Sequence, residues 1–337
     1  MQWETGKKLI EKLVSLLALL LVLLLAPAAD LVQGGEVPSR VMVGYGAISA
    51  VSTGVWVARE ARTFEKYGLD AALLYVASAS KMDQTVLAGD VHVALTGGSS
   101  VVDAVLAAAD LVVIGGVFNT PAFYIMGRPE IKTVADLKGK KVGVTRIGSS
   151  TDFTIQLVLK KFGLEPNKDV AILQLAGMPE VAVALGTGVI SGAALSSPAN
   201  VTAQRVGAHL ILDMAKAGIA FPQSVIVTTR RYISKNRPAV AAFTRAYGEA
   251  LNIIFSNPQV TKQALRKYAR LQDQEIVDAT YDYALAYLQK PPVVTVEGFQ
   301  MVLDTLAAKN AKAREMKPAA FLDSSFVNDL IKEGFYK

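Results

Sequence analysis

From residue 38 onward the chain alternates short β-branched runs with longer stretches whose apolar residues recur at helical spacing, and glycine, serine or threonine marks the changeovers. VPSRVMVGYG reads as a strand, and STGVWVAREARTFEKYG as a helix opened by Ser52 or Thr53 and stopped at Gly68. LDAALLYVA, VHVALTGG, LVVIGGVF and PAFYIMG read as further strands. ASKMDQTVLAGD and SSVVDAVLAAA read as helices, the second opened by Ser99 or Ser100. Such alternation predicts an α/β protein with parallel-rich sheets flanked by helices. It also predicts that the polar turns after the strands share one sheet edge, where open α/β proteins hold ligands.

A second unit begins at IKTVADLKGKKVGV, where Thr133 and Asp136 have capping-box spacing and a new strand follows Gly139. Strands are expected at 142–147, 170–175, 190–195 and 209–213, and helices at 151–162, 179–186 and 198–206, with Pro179 and Pro198 suited to first turns. FPQSVIVTTRRYI returns to the first unit, and residues 238–336 are mostly amphipathic helix. The expected division is 1–28 signal peptide, 38–130 first part of lobe 1, 131–222 lobe 2, and 223–337 return strand and C-terminal helices of lobe 1. Crossings near 127–132 and 218–224 make a hinge about a ligand cleft between the lobes.

Composition excludes several function classes. Hydrophobic residues at 52% and charged residues at 19% describe a packed protein and not a disordered one. The formal charge of +6 is scattered, without the interleaved aromatics of a nucleic-acid surface, so no nucleic-acid partner is expected. With no cysteine there is no disulfide, no thiolate and no lipoprotein anchor. Lys7, Lys8 and Lys12 precede the uncharged run Leu13 to Ala26, and Pro27, Ala28 and Ala29 follow, the order of an export signal cut after Ala28 or Ala29. That order places the mature chain in the periplasm or otherwise outside the cytoplasm.

RIGSSTD, at 146–152, joins a strand to a helix and offers an arginine, a glycine and three hydroxyls. Helix starts leave N–H groups free for an anion or for a capping side chain, and one such turn by itself is met by capping alone. AISAVST, TGGSS and FNTP repeat the pattern in the first unit, and GMPE and LSSPAN in the second. TGGSS lacks the Gly-Lys-Ser/Thr ending of a nucleotide loop, so Gly97 and Gly98 instead permit close backbone approach. Capping accounts for Ser196 and Ser197, and the helix dipole accounts for Glu180, whose charge in a cleft counts against a simple dianion. Tyr45, Trp56, Tyr124 and Phe221 offer flat walls, although aromatics serve more often as core. His92 and His209 are packed or edge histidines, and two histidines without cysteine make no zinc site. Ser78 and Lys81 share the spacing of acylating enzymes without the companion motifs, so neither catalysis nor a cofactor is expected.

STGVWVAREARTFEKYGLDAALLYV, VLAGDVHVALTGGSS, IKTVADLKGKKVGVTRIGSSTDF, LVLKKFGLEP and FPQSVIVTTRRYI, in that order across most of 41–235, resemble the type II solute-binding proteins of bacterial ABC importers. The likeness is to the nitrate, sulfonate, taurine and thiamine-precursor group, NMT1/THI5-like and SsuA-like. It implies a two-lobed periplasmic-binding-protein fold that closes on a small, anionic solute and delivers it, as a monomer, to a permease with its ATPase subunits. It matches Ser49 to Ser52, Thr96 to Ser99, Asn119 and Thr120 to ligand turns of the first lobe, and Arg146, Gly148, Ser149 and Ser150 to those of the second. Gly192, in VISGAALSSP, stands where relatives carry an aspartate, so the resemblance implies a class of solute and not one solute. The competing functions are a thiamine-precursor enzyme or binding protein of the same fold, and a sensory receptor. The full candidate set is Tyr45, Ser49, Ser52, Trp56, Thr96, Gly97, Gly98, Ser99, Asn119, Thr120, Arg146, Gly148, Ser149, Ser150, Glu180, Ser196, Ser197 and Phe221.

Secreted material is expected to begin near Ala29. N-terminal sequencing or intact mass checks this, and a retained leader would contradict a freely diffusing form.

Overall fold

β1 (Ser39–Tyr45), β2 (Leu69–Tyr75), β3 (Val93–Thr96), β4 (Val112–Phe118) and β10 (Ser224–Thr228) form the first of two five-stranded sheets, in the order β2-β1-β3-β10-β4. The second sheet is built from β5 (Tyr124–Gly127), β6 (Lys141–Val144), β7 (Ala171–Gln174), β8 (Gly192–Leu195) and β9 (His209–Asp213), in the order β7-β6-β8-β5-β9. These come from a computed structural model that describes residues 39–336 and Trp3. Trp3 apart, the expected signal peptide lies outside the described residues. No described helix is long and apolar enough to cross a membrane.

In each sheet one strand runs against its neighbours, and it is the strand that enters from the other lobe. β5 is antiparallel to β8 and β9, and β10 is antiparallel to β3 and β4. The pattern of PAFYIMG groups it with the first unit, but β5 pairs inside the second sheet, so the first crossing lies between Phe118 and Tyr124 and not at 127–132. An apolar strand has the same composition in either sheet, and only its pairing decides where it belongs. The crossings hold each other: Phe221 N donates to Asn119 O at 3.0 Å and Met214 N to Phe123 O at 2.9 Å.

The parallel strands alternate with α1 (Thr53–Glu60), α2 (Thr63–Lys66), α3 (Ala79–Ala88) and α4 (Gly98–Leu106) in the first lobe, and with α5 (Ser150–Lys161), α6 (Met178–Thr187) and α7 (Ala199–Arg205) in the second. The long α8 (Arg230–Ser256), α9 (Pro258–Tyr268) and α10 (Gln274–Tyr287) cover one face of the first sheet, and α11 (Val296–Leu306) packs on α4 at the other. The first sheet therefore has a core on both faces, and every residue of β4 and β10 is buried. Local signals explain several helix starts. Thr133 and Asp136 form the expected capping box, Pro179 sits in the first turn of α6, and Ser149 caps α5. α4 differs from expectation, starting at Gly98 with Gly97 in the cap position and no side-chain cap.

Gly54 shows how closely α1 lies on α8. A Cβ there would fall on the Tyr247 ring, with Cζ at 2.7 Å, and Tyr247 is fully buried. Replacing a helix glycine by alanine gains about 1 kcal/mol of propensity, whereas overpacking a dense core costs roughly 1 to 3 kcal/mol. Gly54→Ala is expected to lower the thermal midpoint; an unchanged or raised midpoint would show that Tyr247 moves aside freely.

Candidate functional site

The strands of both lobes end at the same cavity. β1 runs into Gly46 and Ala47, β3 ends at Thr96 before Gly97, β6 runs into Thr145, and β8 runs into Ser196, and all of these residues line it. The cavity measures about 60 Å³, small beside the roughly 300 to 1,000 Å³ that hold drug-sized ligands. Ser49 and Ser52 line it at the 3₁₀ turn Ala50–Ser52 leading into α1, Ser78 and Ala79 at the start of α3, Gly97 at α4, Ser149 and Ser150 at α5, and Met178 at α6. Helix starts carry unpaired N–H groups and partial positive charge. The lining is otherwise hydroxyl, apolar or, at Gln223, amide, and it includes no Asp, Glu, Lys, Arg or His.

In the second lobe the hydroxyls form a network. Thr145 N donates to Thr151 Oγ1 at 3.0 Å, Thr145 Oγ1 donates to Ser149 Oγ at 3.0 Å, and Ser149 Oγ donates to Arg146 O at 2.7 Å. These bonds fold RIGSSTD into a fixed turn, and Gly148 supports it with φ at +79° while its N–H donates to Asp152 Oδ2 at 2.9 Å. Ser150 does not cap. Its Oγ donates to Gln223 O at 2.9 Å, beside the return strand of the first lobe, and it lies so close to Gly97 that a Cβ on that glycine would clash with it. Further contacts join the lobes: Ala50 N donates to Ser197 O at 3.0 Å, and Arg205 pairs with Asp273 and Glu275 at 2.8 Å each.

Of the candidate residues, Ser49, Ser52, Thr96, Gly97, Ser149, Ser150 and Ser196 line the cavity. The others have different surroundings. Trp56 is fully buried in the core, edge-on to Tyr45 at 5.7 Å. Phe221 is buried against Phe153, ring centroids 5.2 Å apart. Gly98 packs on Pro222, whose carbonyl accepts its N–H at 2.8 Å. Ser99 is buried in α4 outside the lining, and Asn119 Nδ2 donates to Val293 O at 2.8 Å. Thr120 accepts from Ala122 N at 2.8 Å within the first crossing, and Ser197 Oγ meets Thr280 Oγ1 at 3.0 Å. Arg146, Gly148, Tyr45 and Glu180 also lie outside the lining. AISAVST, TGGSS, RIGSSTD, GMPE and LSSPAN each send at least one residue into the wall and FNTP sends none, while the remaining residues of these turns lie outside it.

Residues outside the candidate set complete the wall, among them Ser78, Phe123, Thr145, Thr151, Gln223 and Ser224. Thr151 is legible in RIGSSTD, and Ser78 precedes a helix as Ser149 does. Gln223 carries no local signal, since only the return crossing places its carbonyl opposite Ser150. No group of His, Asp or Glu among the described residues is arranged to hold a metal ion.

The NMT1/THI5-like family profile matches residues 49–261, which include both sheets apart from the first strand. The chain belongs to this family. It is 25% identical over 261 residues to a Brucella abortus (strain 2308) protein named as a binding protein, covering 76% of this chain and 78% of that one. It is 22% identical over 201 residues to the Bacillus subtilis (strain 168) protein YtlA, also named as a binding protein, and that match spans 58% of this chain and 60% of YtlA. Among solved structures, a Bordetella bronchiseptica RB50 protein superposes with a TM-score of 0.79 at 21% identity, over 88% of this chain and 98% of that one. The alkanesulfonate-binding protein SsuA from Xanthomonas axonopodis pv. citri, bound to MOPS, gives 0.68 at 20% identity, over 87% and 97%. The periplasmic nitrate-binding protein NrtA from Synechocystis PCC 6803 gives 0.70 at 13% identity, over 88% and 89%. The fold of this family member is the two-lobed periplasmic-binding-protein fold.

Behind the cavity wall, Asp83 on α3 is fully buried and accepts from Thr96 Oγ1 at 2.7 Å, while its Oδ2 has no partner among the described residues. Burial pushes its carboxyl up from 3.8 to about 7, against the hydroxyls of Ser100 and Thr96. Burial and Asp152 likewise push Asp103, on α4, up to about 6. Folded Asp83 therefore keeps a proton that the unfolded chain has already lost, so stability is expected to fall as pH rises from about 4 to about 7. Asp83→Asn, which cannot titrate, is expected to flatten this decline in thermal melts, leaving the smaller slope of Asp103. An equal slope in both proteins would mean that Asp83 titrates normally.

Proposed function

We propose that the chain is the extracytoplasmic receptor of an ABC importer, which closes its lobes on a small anionic solute of sulfonate, carboxylate or nitrate type and passes it unaltered to a permease and its ATPase subunits. The carrying observation is the cavity itself, where several helix starts and a ring of hydroxyls converge with no ionisable side chain in the wall. Uncharged donors held by the fold stabilise an oxyanion without a bulky cation. The wall also lacks a group able to exchange a proton near neutral pH, which suits capture and not chemistry. SsuA and NrtA, which share the fold, are named for binding alkanesulfonate and nitrate, and this supports the class of solute. The protein acts as a monomer, exported by the leader read at 1–28 and without lipid attachment. Its lobes turn about the paired crossings at Asn119–Phe221 and Phe123–Met214.

The binding set on this reading is Ser49, Ser52, Ser78, Thr96, Gly97, Thr145, Ser149, Ser150 and Ser196, with Arg146 outside it. Calorimetric titration with methanesulfonate, acetate and nitrate, paired with small-angle scattering, is expected to show binding of at least one anion together with compaction. A neutral hydrogen bond is worth about 0.5 to 1.5 kcal/mol, so Ser150→Ala is expected to weaken binding by roughly two- to tenfold. Arg146→Ala is expected to change it less. A loss on the order of a hundredfold in the Arg146 variant would restore a charged donor to the site, and no binding of any anion would refute the reading.

A further inference from the structure

One carboxyl lies a single hydrogen bond behind the anion cavity. Thr96, at the end of β3, lines the wall, and its Oγ1 stands 2.7 Å from Asp83 Oδ1 and 3.1 Å from Ala79 O. Ala79 lines the same wall, so the Thr96 hydroxyl is shared between the cavity and two groups of α3. A hydroxyl carries one hydrogen, and both of those groups are acceptors when Asp83 is ionised. Only one of them can then be satisfied, and a charged acceptor outcompetes a carbonyl. With the hydrogen of Thr96 held by Asp83, none is left for a solute.

The surroundings of Asp83 do little to hold its negative charge. The carboxyl is fully buried, and its Oδ2 has no partner among the described residues. Ser100, the other hydroxyl that faces it, donates its hydrogen to Gly97 O at 2.8 Å. The ionisable group that acts on Asp83 is Asp103 on α4, whose own charge opposes ionisation, and Lys81 on α3 is exposed. Burial, with Asp103 contributing, pushes the carboxyl up to about 7, so both of its forms are populated near neutral pH. Protonation reverses the order of the hydrogen bonds. The carboxyl O–H donates to Thr96 Oγ1, and the hydrogen of Thr96 is released to Ala79 O or to the cavity, where an anion is the stronger acceptor. An anion in the cavity is also repelled by ionised Asp83 across a wall one residue thick, in surroundings where water screens little.

We propose that solute capture is coupled to a proton on Asp83: the protonated carboxyl frees the Thr96 hydroxyl for the anion, and the ionised carboxyl withdraws it. Asp83 is a positioning residue that acts through Thr96 and does not itself touch the solute. This inference rests on the anion-binding reading of the cavity, and it makes a proton taken up behind the wall part of how the negative charge is accommodated. Binding that favours the protonated form is level where Asp83 is already protonated in the ligand-free protein. It weakens as pH rises through about 7.

The test titrates the full mature protein by calorimetry with methanesulfonate, acetate and nitrate from about pH 6 to about pH 9, a range in which all three stay ionised. For an anion that binds, affinity is expected to be level near pH 6 and to fall above about pH 7, approaching tenfold per pH unit for a single proton. Titration near pH 8 in buffers of different ionisation enthalpy is expected to show net proton uptake. Asp83→Asn, whose Nδ2–H replaces the carboxyl O–H toward Thr96, is expected to abolish both the slope and the uptake and to bind more tightly than the wild type near pH 9. The wild-type slope and uptake decide the matter by themselves if that variant does not fold. Thr96→Val is expected to lose more affinity near pH 6 than near pH 9, because ionised Asp83 already withholds the hydroxyl at high pH. Asp103→Asn is expected to keep the slope. An affinity unmoved by pH, binding without proton uptake, or a slope that Asp83→Asn retains or Asp103→Asn abolishes would overturn the coupling while leaving the anion cavity standing. No binding of any of the three at any pH would overturn the cavity reading and this inference with it.

Discussion

A backbone N–H in the first turn of a helix has no partner within that helix, and this chain brings several such turns to one small space between its lobes. The remaining architecture follows from keeping them there. Parallel strands must be joined by helices, each helix starts where the preceding strand ends, and the starts accumulate along one edge of each sheet. Two sheets facing each other across a pair of crossings bring two such edges together. The resulting electrostatic field is supplied by main chain, which explains how the cavity can suit an anion without a cationic side chain in its wall.

Hydroxyls make that arrangement specific. Thr145, Ser149 and Thr151 satisfy one another and fix the turn, whereas Ser150 reaches the other lobe. Loss of a cap disturbs one helix locally. A bond such as Ser150 to Gln223 exists only when the lobes lie in this relative position, so it belongs to the energetics of closure. The same holds for Ala50 with Ser197 and for Arg205 with Asp273 and Glu275, although exposed ion pairs contribute little each. Buried Asp83 is a different kind of element. It ties α3 to Thr96 at the cost of holding a carboxyl where ionisation is disfavoured, an arrangement tolerated because protonation removes the penalty.

The family assignment and the geometry bear on different questions. The profile match establishes the family and the superpositions the fold, but identities of 25% and below leave side-chain chemistry to be read from this chain. That chemistry is a cavity without ionisable residues in its wall and with one buried carboxyl behind it.

Periodicity and turn residues in the sequence determined the α/β class, the two-lobed division and the location of the polar turns, because each depends on signals within ten or so neighbouring residues. The capping box at Thr133 was legible for the same reason, whereas the choice of Ser149 among the three hydroxyls of RIGSSTD as the cap was not. Tertiary structure alone decided the rest. β5 joined the second sheet because pairing depends on partners distant in sequence, and PAFYIMG reads alike in either place. Trp56, Phe221 and Asn119 turned to core or hinge because a turn's polarity does not say which of its side chains points inward. Gln223 entered the site with no sequence signal, since what it offers Ser150 is a carbonyl, which every residue has and only the return crossing could aim.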